Sequence, residues 1–200
     1  MPDTQVSRPR RWPRFLWDVA QTIAQAIVLY VLVAAIFGRF EIRQISMEPN
    51  FHEGQRVLVF QLGSTLSSLW LGTVHAAGER PPAPFPPERG QVVILHTTPE
   101  RAEEPLIKRV IAEPGDMIEI SAGSVRVNGQ PLDEPYVHGS VTNCFGQCGP
   151  LILAADEYYV MGDNRPNSRD SRSFGPIRAG QIVGRVVARY WPLTDLALVP

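Results

Sequence analysis

The residue of this chain whose type most suggests chemistry is Lys108, the one lysine among 19 lysine and arginine residues. A guanidinium stays protonated in proteins, whereas a desolvated ammonium can lose its proton near neutral pH. Lys108 lies among apolar residues in Pro105-Leu-Ile-Lys-Arg-Val-Ile-Ala112, and such a low-dielectric setting lowers the pKa of an amine. We therefore interpret Lys108 as a candidate general base; the alternative is a coding bias toward arginine that left one lysine by chance.

A general base needs a nucleophile, and Ser46 is the best candidate. It lies in Ile45-Ser-Met-Glu-Pro-Asn50, where the proline favours a turn that can present a hydroxyl. A neutral lysine is one recognised activator of a serine hydroxyl. A lone serine before a turn is more often structural, so Ser46 is a candidate only together with Lys108. The four histidines, His52, His75, His96 and His138, show no recognisable triad order.

Short β-branched runs predict that strands position these two side chains. The runs cover residues 55–60, 90–95, 106–112, 117–120, 124–128, 157–161 and 184–190 and are separated by Gly, Pro, Asn or Asp. Asn128-Gly129 predicts a hairpin and residues 113–116 a tight turn. We expect a mainly β fold of antiparallel sheets with a barrel-like form. The Ser-, Gly- and Pro-rich stretch at 62–89 predicts a long excursion from the sheet.

Residues 15–38 predict a transmembrane anchor helix. No charged residue occurs from Ala26 to Gly38, and at about 1.5 Å per residue the segment can cross a hydrocarbon core of about 30 Å. Four arginines precede it, at positions 8, 10, 11 and 14. The positive-inside rule then predicts a cytoplasmic segment at 1–14 and an exported domain at 39–200, opposed weakly by Arg39 and Arg43. A cleaved signal peptide and an amphipathic surface helix are the alternatives.

The cysteines and the charge balance narrow the class of protein. Cys144 and Cys148 lie four residues apart in a turn-rich loop and can close a small disulfide in an oxidising compartment, in agreement with export. Two unpaired thiols are the alternative, and two ligands are too few for a structural zinc site. The net charge of −1, without a basic stripe interleaved with aromatics, gives no reason to expect a nucleic-acid partner.

Three segments, taken in order, resemble the conserved boxes of the type I signal peptidase family. They are Ser46-Met-Glu-Pro49 with Gly54-Gln-Arg-Val-Leu-Val59, then residues 108–116, then residues 162–172. The resemblance implies a serine endopeptidase in the cytoplasmic membrane of a bacterium, with a β-rich catalytic domain shared with the self-cleaving SOS-response repressors. It implies removal of signal peptides on the extracytoplasmic face, preproteins and membrane lipid as partners, and no metal or cofactor. We expect a monomer.

Residue roles follow from the same resemblance. Ser46 would be the nucleophile and Lys108 the general base of a dyad that acts through an acyl-enzyme. Ser168 would hydrogen-bond the lysine amine, while Asp170 and Arg172 would form a supporting ion pair.

The resemblance also bears on the oxyanion and the first box. The backbone N–H of Ser46 would be one oxyanion donor. Gln44 stands where many members have serine or glycine, so the second donor remains open. Asn50 replaces the usual threonine of the first box, and we expect this to change a local turn bond more than the chemistry.

Substrate-binding residues are also implied by the resemblance. Signal peptides end in small residues at alternate positions, so an extended substrate would point two short side chains into shallow apolar pockets. The pockets would involve Phe40, Ile42, Met47, Val57 and Ile107, although a plain β core would contain the same residue types. Two other functions remain open: a specialised or self-cleaving Ser-Lys maturation protease, and a non-catalytic, membrane-anchored β module that binds an extracytoplasmic partner.

Overall fold

The computed structural model describes residues 12–61, 86–98, 104–139, 141–144, 146 and 149–199. Residues 1–11 and most of the predicted excursion, residues 62–85, lie outside the described residues. The chain divides into two compact units, Met1–Ala35 and Ile36–Pro200. In the first unit, helix α1 covers Trp12–Ile36. Its segment Phe15–Ile36, of 22 residues, is long and apolar enough to cross a membrane, by length and composition.

The junction between helix and sheet differs from the prediction. Helix α1 ends at Ile36, and strand β1 covers Phe37–Glu41, so the last two residues of the segment predicted as an anchor helix, 15–38, belong to a strand. Phe37 and Gly38 pair with Phe60 and Val59 of strand β2, Arg56–Phe60. These two residues are as apolar as the helix, so hydropathy could not reveal that a distant strand pairs with them.

The second unit is built mainly from strands. After β1 and β2 they are β3 (Val92–Leu95), β4 (Leu106–Ala112), β5 (Met117–Ser121), β6 (Ser124–Val127), β7 (Gln130–Pro131), β8 (Leu151–Ile152), β9 (Glu157–Met161), β10 (Ile177–Arg178), β11 (Ile182–Trp191) and β12 (Ala197–Leu198). The short helix α2 covers Ser171–Phe174, and 3-10 turns cover Arg165–Asn167, Ala179–Gln181 and Leu193–Asp195. All seven predicted runs overlap strands. The segment of β1 and the two-residue strands were not predicted.

The strands form two antiparallel sheets. The larger has the order β1-β2-β11-β3-β4-β9-β10, with β12 paired to β11, and the smaller has the order β7-β6-β5-β8. The predicted mainly β, antiparallel fold is confirmed. Strands β1 and β10 end the larger sheet on opposite sides, so among the described strands this sheet is open rather than closed.

Two hairpins connect β5 to β6 and β6 to β7 within the smaller sheet, and one turn connects β4 of the larger sheet to β5. The predicted hairpin at Asn128-Gly129 is confirmed, with positive φ at both residues (53° and 78°). A second hairpin of the same kind uses Ala122 and Gly123; alanine rarely adopts positive φ, which explains why the sequence did not reveal it. The predicted turn at 113–116 is also present, because the Asp116 N–H donates to the Glu113 carbonyl at 3.0 Å.

Strand β4 is the element that positions Lys108, and it lies deep in the fold. It pairs with β3 on one side and with β9 on the other. Every residue of β4 from Ile107 to Ala112 is buried, as are all four residues of β3. A side chain on this strand is therefore desolvated by the architecture, whatever its polarity.

Candidate active site

Ser46 lies in a turn that follows strand β1. Beyond the end of the strand the chain stays attached at Ile42, whose N–H donates to the Gln55 carbonyl at 2.8 Å. The chain then turns over residues 45–50, and the fully buried Met47 anchors the turn in the core. Ser46 itself is only 5 % exposed. The hydroxyl is thus held in one place by its neighbours rather than displayed on a free loop.

Lys108 reaches this serine from strand β4. Its Nζ donates to Ser46 Oγ at 2.6 Å and to the Ile107 carbonyl oxygen at 2.9 Å. The side chain is 1 % exposed, and burial lowers the pKa of its amine from 10.5 to about 8. An amine with this pKa is partly neutral near pH 7, and it lies within hydrogen-bond reach of the proton that it would take.

Two carboxylates near Lys108 raise the pKa of its amine and so oppose the effect of desolvation. Desolvation is the largest influence on the Lys108 pKa, and the charges of Asp170 and Asp163 raise that pKa in opposition. Each carboxylate has its own counter-ion: Asp170 pairs with Arg172 at 2.8 Å, and Asp163 pairs with Arg109 at 2.7 Å. All four side chains are buried. Desolvation prevails over the two carboxylates at the lysine, and each carboxylate is in turn paired with its own arginine.

The segment that follows β9 is hydrogen-bonded to the turn at residues 45–50, which carries Ser46 and is called the nucleophile turn below. The Asn164 N–H donates to the Ser46 carbonyl at 3.0 Å, and its side-chain amide donates to the preceding carbonyl at 3.1 Å. At the other end of the turn, Asn50 Nδ2 donates to Asp163 Oδ2 at 2.8 Å. Gly162 permits this approach, because a Cβ there would overlap the Ser46 carbonyl oxygen. Both ends of the turn are therefore fastened to one segment.

Asn50 has a larger role than the predicted change in a local turn bond. Besides Asp163, its amide donates to the Tyr136 carbonyl at 2.7 Å, and Arg109 stacks over the Tyr136 ring at 4.2 Å from the centroid. Asn50 thus links the nucleophile turn to the ion pair beside Lys108.

The hydrogen bond predicted between Ser168 and the lysine amine is not formed. Ser168 Oγ is buried and has no hydrogen-bond partner among the described residues. The Lys108 amine is instead directed at Ser46 and at the carbonyl of Ile107. Ser168 is close to the site, since a Cβ on Gly162 would also overlap its hydroxyl. The predicted ion pair between Asp170 and Arg172, by contrast, is present.

A loop that contains Cys144 packs against the same segment. Arg165, fully buried, donates to Thr142 Oγ1 at 2.6 Å and pairs with Glu134, while Arg172 donates to the Asn143 carbonyl at 3.2 Å. Cys144 is disulfide-bonded. The other cysteine of the sequence, Cys148, lies outside the described residues, so the pairing of the two stays a prediction. In the described part of the chain, no group of three or more His, Cys, Asp or Glu side chains is arranged to hold a metal ion.

A cleft of about 270 Å³ is lined by residues close in the chain to the dyad, among them Gln44, two residues before Ser46, and Ile107, which precedes Lys108. One wall is the segment from Arg39 to Gln44, and the other includes Glu104, Pro105 and Ile107. Both walls have unpaired backbone: β4 pairs with β9 only from Arg109 onward, and Arg43 and Gln44 make no backbone hydrogen bond within the described residues. An extended peptide can therefore pair with one or both walls.

The five predicted substrate-binding residues fall into two groups. Phe40, Ile42 and Ile107 line the cleft. Met47 and Val57 do not line it; both are fully buried in the same hydrophobic cluster as Ile42 and Ile107, so a role of these two in substrate binding stays a prediction.

The two predicted oxyanion donors are both available. Gln44 lines the cleft, is half-buried, and its side-chain amide makes no hydrogen bond in the part of the chain that the structure describes. The Ser46 N–H likewise donates to no group among the described residues.

Three residues of the site were not predicted from the sequence. Arg109 and Asp163 form the second buried ion pair, and Asn164 holds the turn. The sequence did contain a signal for these three residues, because all three lie inside the conserved boxes described above and Arg109 directly follows Lys108. Polar residues beside a catalytic candidate look like an exposed loop until the fold shows that they are buried.

Comparison with known proteins identifies the family of this chain. A family model described as "Signal peptidase, peptidase S26" matches residues 16–191. Signal peptidase I of Leptolyngbya laminosa is 39% identical over 117 residues, which is 56% of each chain. Probable signal peptidase I-2 of Synechocystis sp. is 28% identical over 94% of this chain and 79% of that protein. Signal peptidase IB of Staphylococcus aureus is 29% identical over 90% of both. A crystal structure of a signal peptidase I from Enterococcus faecalis matches 50% of this chain and 95% of that chain with 26% identity and a TM-score of 0.41.

The match of the family model over most of the chain shows that this chain belongs to the signal peptidase, peptidase S26, family. It is accordingly a serine peptidase, a hydrolase. The family is one of bacterial membrane-anchored enzymes, and the apolar helix α1 is consistent with such an anchor.

Proposed function

We propose that this chain removes N-terminal signal peptides from exported preproteins with a Ser46–Lys108 dyad. The observation that carries the proposal is the 2.6 Å approach of the buried Lys108 Nζ to Ser46 Oγ. Burial lowers the pKa of this amine to about 8, which is the property that a lysine needs to act as a base. Membership of the signal peptidase family supports the choice of substrate.

The dyad acts twice in the proposed cycle. Neutral Lys108 accepts the hydroxyl proton while Ser46 Oγ attacks the scissile carbonyl carbon, and the ammonium then donates that proton to the leaving amine of the mature protein. In the second half, Lys108 takes a proton from the water that attacks the acyl ester and returns it to Ser46 Oγ as the C–O bond breaks. The Ile107 carbonyl keeps the amine in place.

The negative charge that develops on the carbonyl oxygen needs preorganised donors. The Ser46 N–H and the Gln44 side-chain amide are the two candidates, since neither donates to another group of the described residues. Removal of one oxyanion donor typically lowers kcat by about 10² to 10³, so Gln44→Ala should fall in this range if the amide serves.

The cleft supports recognition of an extended peptide. Its unpaired backbone edges can hydrogen-bond to a substrate strand, and Phe40, Ile42 and Ile107 provide the apolar surface for small side chains. Ser46 lies only ten residues beyond Ile36, where α1 ends. A membrane anchor at this distance along the chain raises the effective concentration of the site toward substrates that are themselves held in the membrane.

We propose the cytoplasmic membrane as the location, with the N-terminus inside and the β unit on the extracytoplasmic face. Four arginines before the apolar segment Phe15–Ile36 support this orientation, against two shortly after it. Protease added to intact spheroplasts should digest the β unit and leave a membrane-embedded fragment. Full protection of the β unit until the cells are lysed would contradict the orientation and would favour a self-cleaving cytoplasmic protease.

The activity is tested with the purified full chain in detergent and a preprotein whose signal peptide ends in a small-x-small motif. We expect one cut after the motif, identified by mass spectrometry of the product. Ser46→Ala should abolish the cut, whereas Ser124→Ala, on strand β6 of the smaller sheet, should not change it. Cleavage by the Ser46 variant would exclude this nucleophile, and absence of cleavage in trans by the wild type would favour the binding module or self-cleavage.

A further inference from the structure

One ion pair spans the cleft described above. Arg43 Nη1 lies 3.1 Å from Glu104 Oε1, and the two residues belong to opposite walls of the cleft. Their side chains are 64% and 69% exposed. Nothing in the proposed chemistry uses this pair, yet a peptide that enters the cleft must pass beside it.

The alternation of side chains along the first wall places the pair on the outward side. Phe40, Ile42 and Gln44 are buried or half-buried, whereas Glu41 and Arg43 between them are exposed. A strand that pairs with this wall follows the same alternation, because directly opposite residues point to the same face of a sheet. Its inward side chains meet the apolar lining, and its outward side chains meet the ion pair.

We infer that the Arg43–Glu104 pair faces the residue between the two small ones and, because its two charges balance, lets the site accept an acidic, neutral or basic residue there. This inference rests on the proposed function and deepens it. The small residues at alternate positions point inward, so the middle residue points outward, toward the pair. Arg43 attracts an acidic middle residue and repels a basic one, and Glu104 does the reverse.

In the wild type the two influences oppose each other. With the pair intact, its charges nearly cancel, so a middle Glu, Gln or Lys should be cleaved at similar rates. Removal of one partner leaves the charge of the other unbalanced. Exposed pairs of this kind are weak, and the combined attraction and repulsion should change the Glu-to-Lys preference by about two- to thirtyfold.

The experiment measures kcat/KM of the full chain on three preproteins that differ only in the middle residue: Glu, Gln or Lys. In Glu104→Gln the ratio of the Glu to the Lys substrate should rise by about two- to thirtyfold, and in Arg43→Gln it should fall by a similar factor. Both changes should diminish in 1 M NaCl, where the Debye length is about 3 Å. The exchange variant R43E/E104R should return the ratio to within about threefold of wild type.

A matched control uses another pair of opposite charges. Glu119 and Arg126 face each other across β5 and β6 in the smaller sheet, so Glu119→Gln and Arg126→Gln change the net charge equally without touching the cleft. Their ratios should equal that of the wild type. If Arg43→Gln and Glu104→Gln cleave well but keep the wild-type ratio at low salt, the inference is overturned. If the wild type cleaves none of the three preproteins, the proposed function fails instead.

Discussion

The titration of Lys108 is the sharpest test of the proposed dyad. The structure buries this amine and lowers its pKa to about 8, and only the neutral form can accept the serine proton. Between pH 7 and pH 9 the neutral fraction then rises from about one tenth to about nine tenths. We expect kcat/KM for a preprotein to rise about tenfold over this interval, with an apparent pKa near 8.

Substitution of the lysine separates charge from proton transfer. Lys108→Arg keeps a cation but cannot accept a proton near neutral pH, and Lys108→Met keeps the approximate length without the charge. Both should lose activity by at least about a hundredfold, the usual contribution of a general base, and neither should show the rise near pH 8. Wild-type kcat/KM in the arginine variant, or a flat wild-type profile from pH 6.5 to 9.5, would refute the reasoning.

The same pKa makes an independent prediction about stability. The folded-state pKa of about 8 lies below the ordinary value of 10.5, so in the window between these values the unfolded state holds a proton that the folded state has released. Stability therefore rises with pH across this window, and below it the buried charge costs about 3 kcal/mol. Urea unfolding should show that the stability advantage of Lys108→Met over wild type shrinks by about 2 to 3 kcal/mol from pH 7 to pH 10.

Three further substitutions test the residues behind the dyad. Asp170→Asn leaves Arg172 buried without its counter-ion, so urea unfolding should show a loss of about 3 to 5 kcal/mol; a loss below about 1 kcal/mol would contradict the role of the pair. Gly162→Ala introduces a Cβ that overlaps the Ser46 carbonyl, and the displaced nucleophile should lower kcat/KM by about a hundredfold, a prediction that unchanged cleavage would overturn. Asn164→Ala removes one hydrogen bond to the nucleophile turn and should lower kcat about fivefold with little change in KM; a change in KM alone would assign the residue to substrate binding.

The sequence was most informative where structure depends on neighbours in the chain. The alternating and β-branched runs predicted seven of the strands, and the Asn128-Gly129 pair predicted a hairpin that the structure confirms. Strand β1 was missed, because Phe37 and Gly38 continue the apolar run of the helix and become a strand only through pairing with β2. The hairpin at Ala122-Gly123 was missed because alanine is a poor signal for positive φ.

Residue types alone also indicated the chemistry. A unique lysine in an apolar run and a serine at a proline turn were sufficient to suggest a base and a nucleophile, and the order of the boxes suggested the family. The exposure of individual apolar side chains was harder to predict from the sequence. Phe40 and Val57 are equally apolar in the sequence, yet one lines the cleft and the other is sealed in the core.

The sequence by itself therefore determined the elements and the reactive groups: an apolar N-terminal helix, short antiparallel strands, and one lysine side chain able to be neutral. The tertiary structure decided which groups meet. It brought Lys108 Nζ within 2.6 Å of the Oγ of a serine 62 residues away and left Ser168 Oγ without a hydrogen-bond partner among the described residues. It also supplied the buried arginines that pair with Asp163 and Asp170. The reason is physical: backbone propensity acts over a few residues, whereas desolvation and the distance between two charges depend on how distant strands pair.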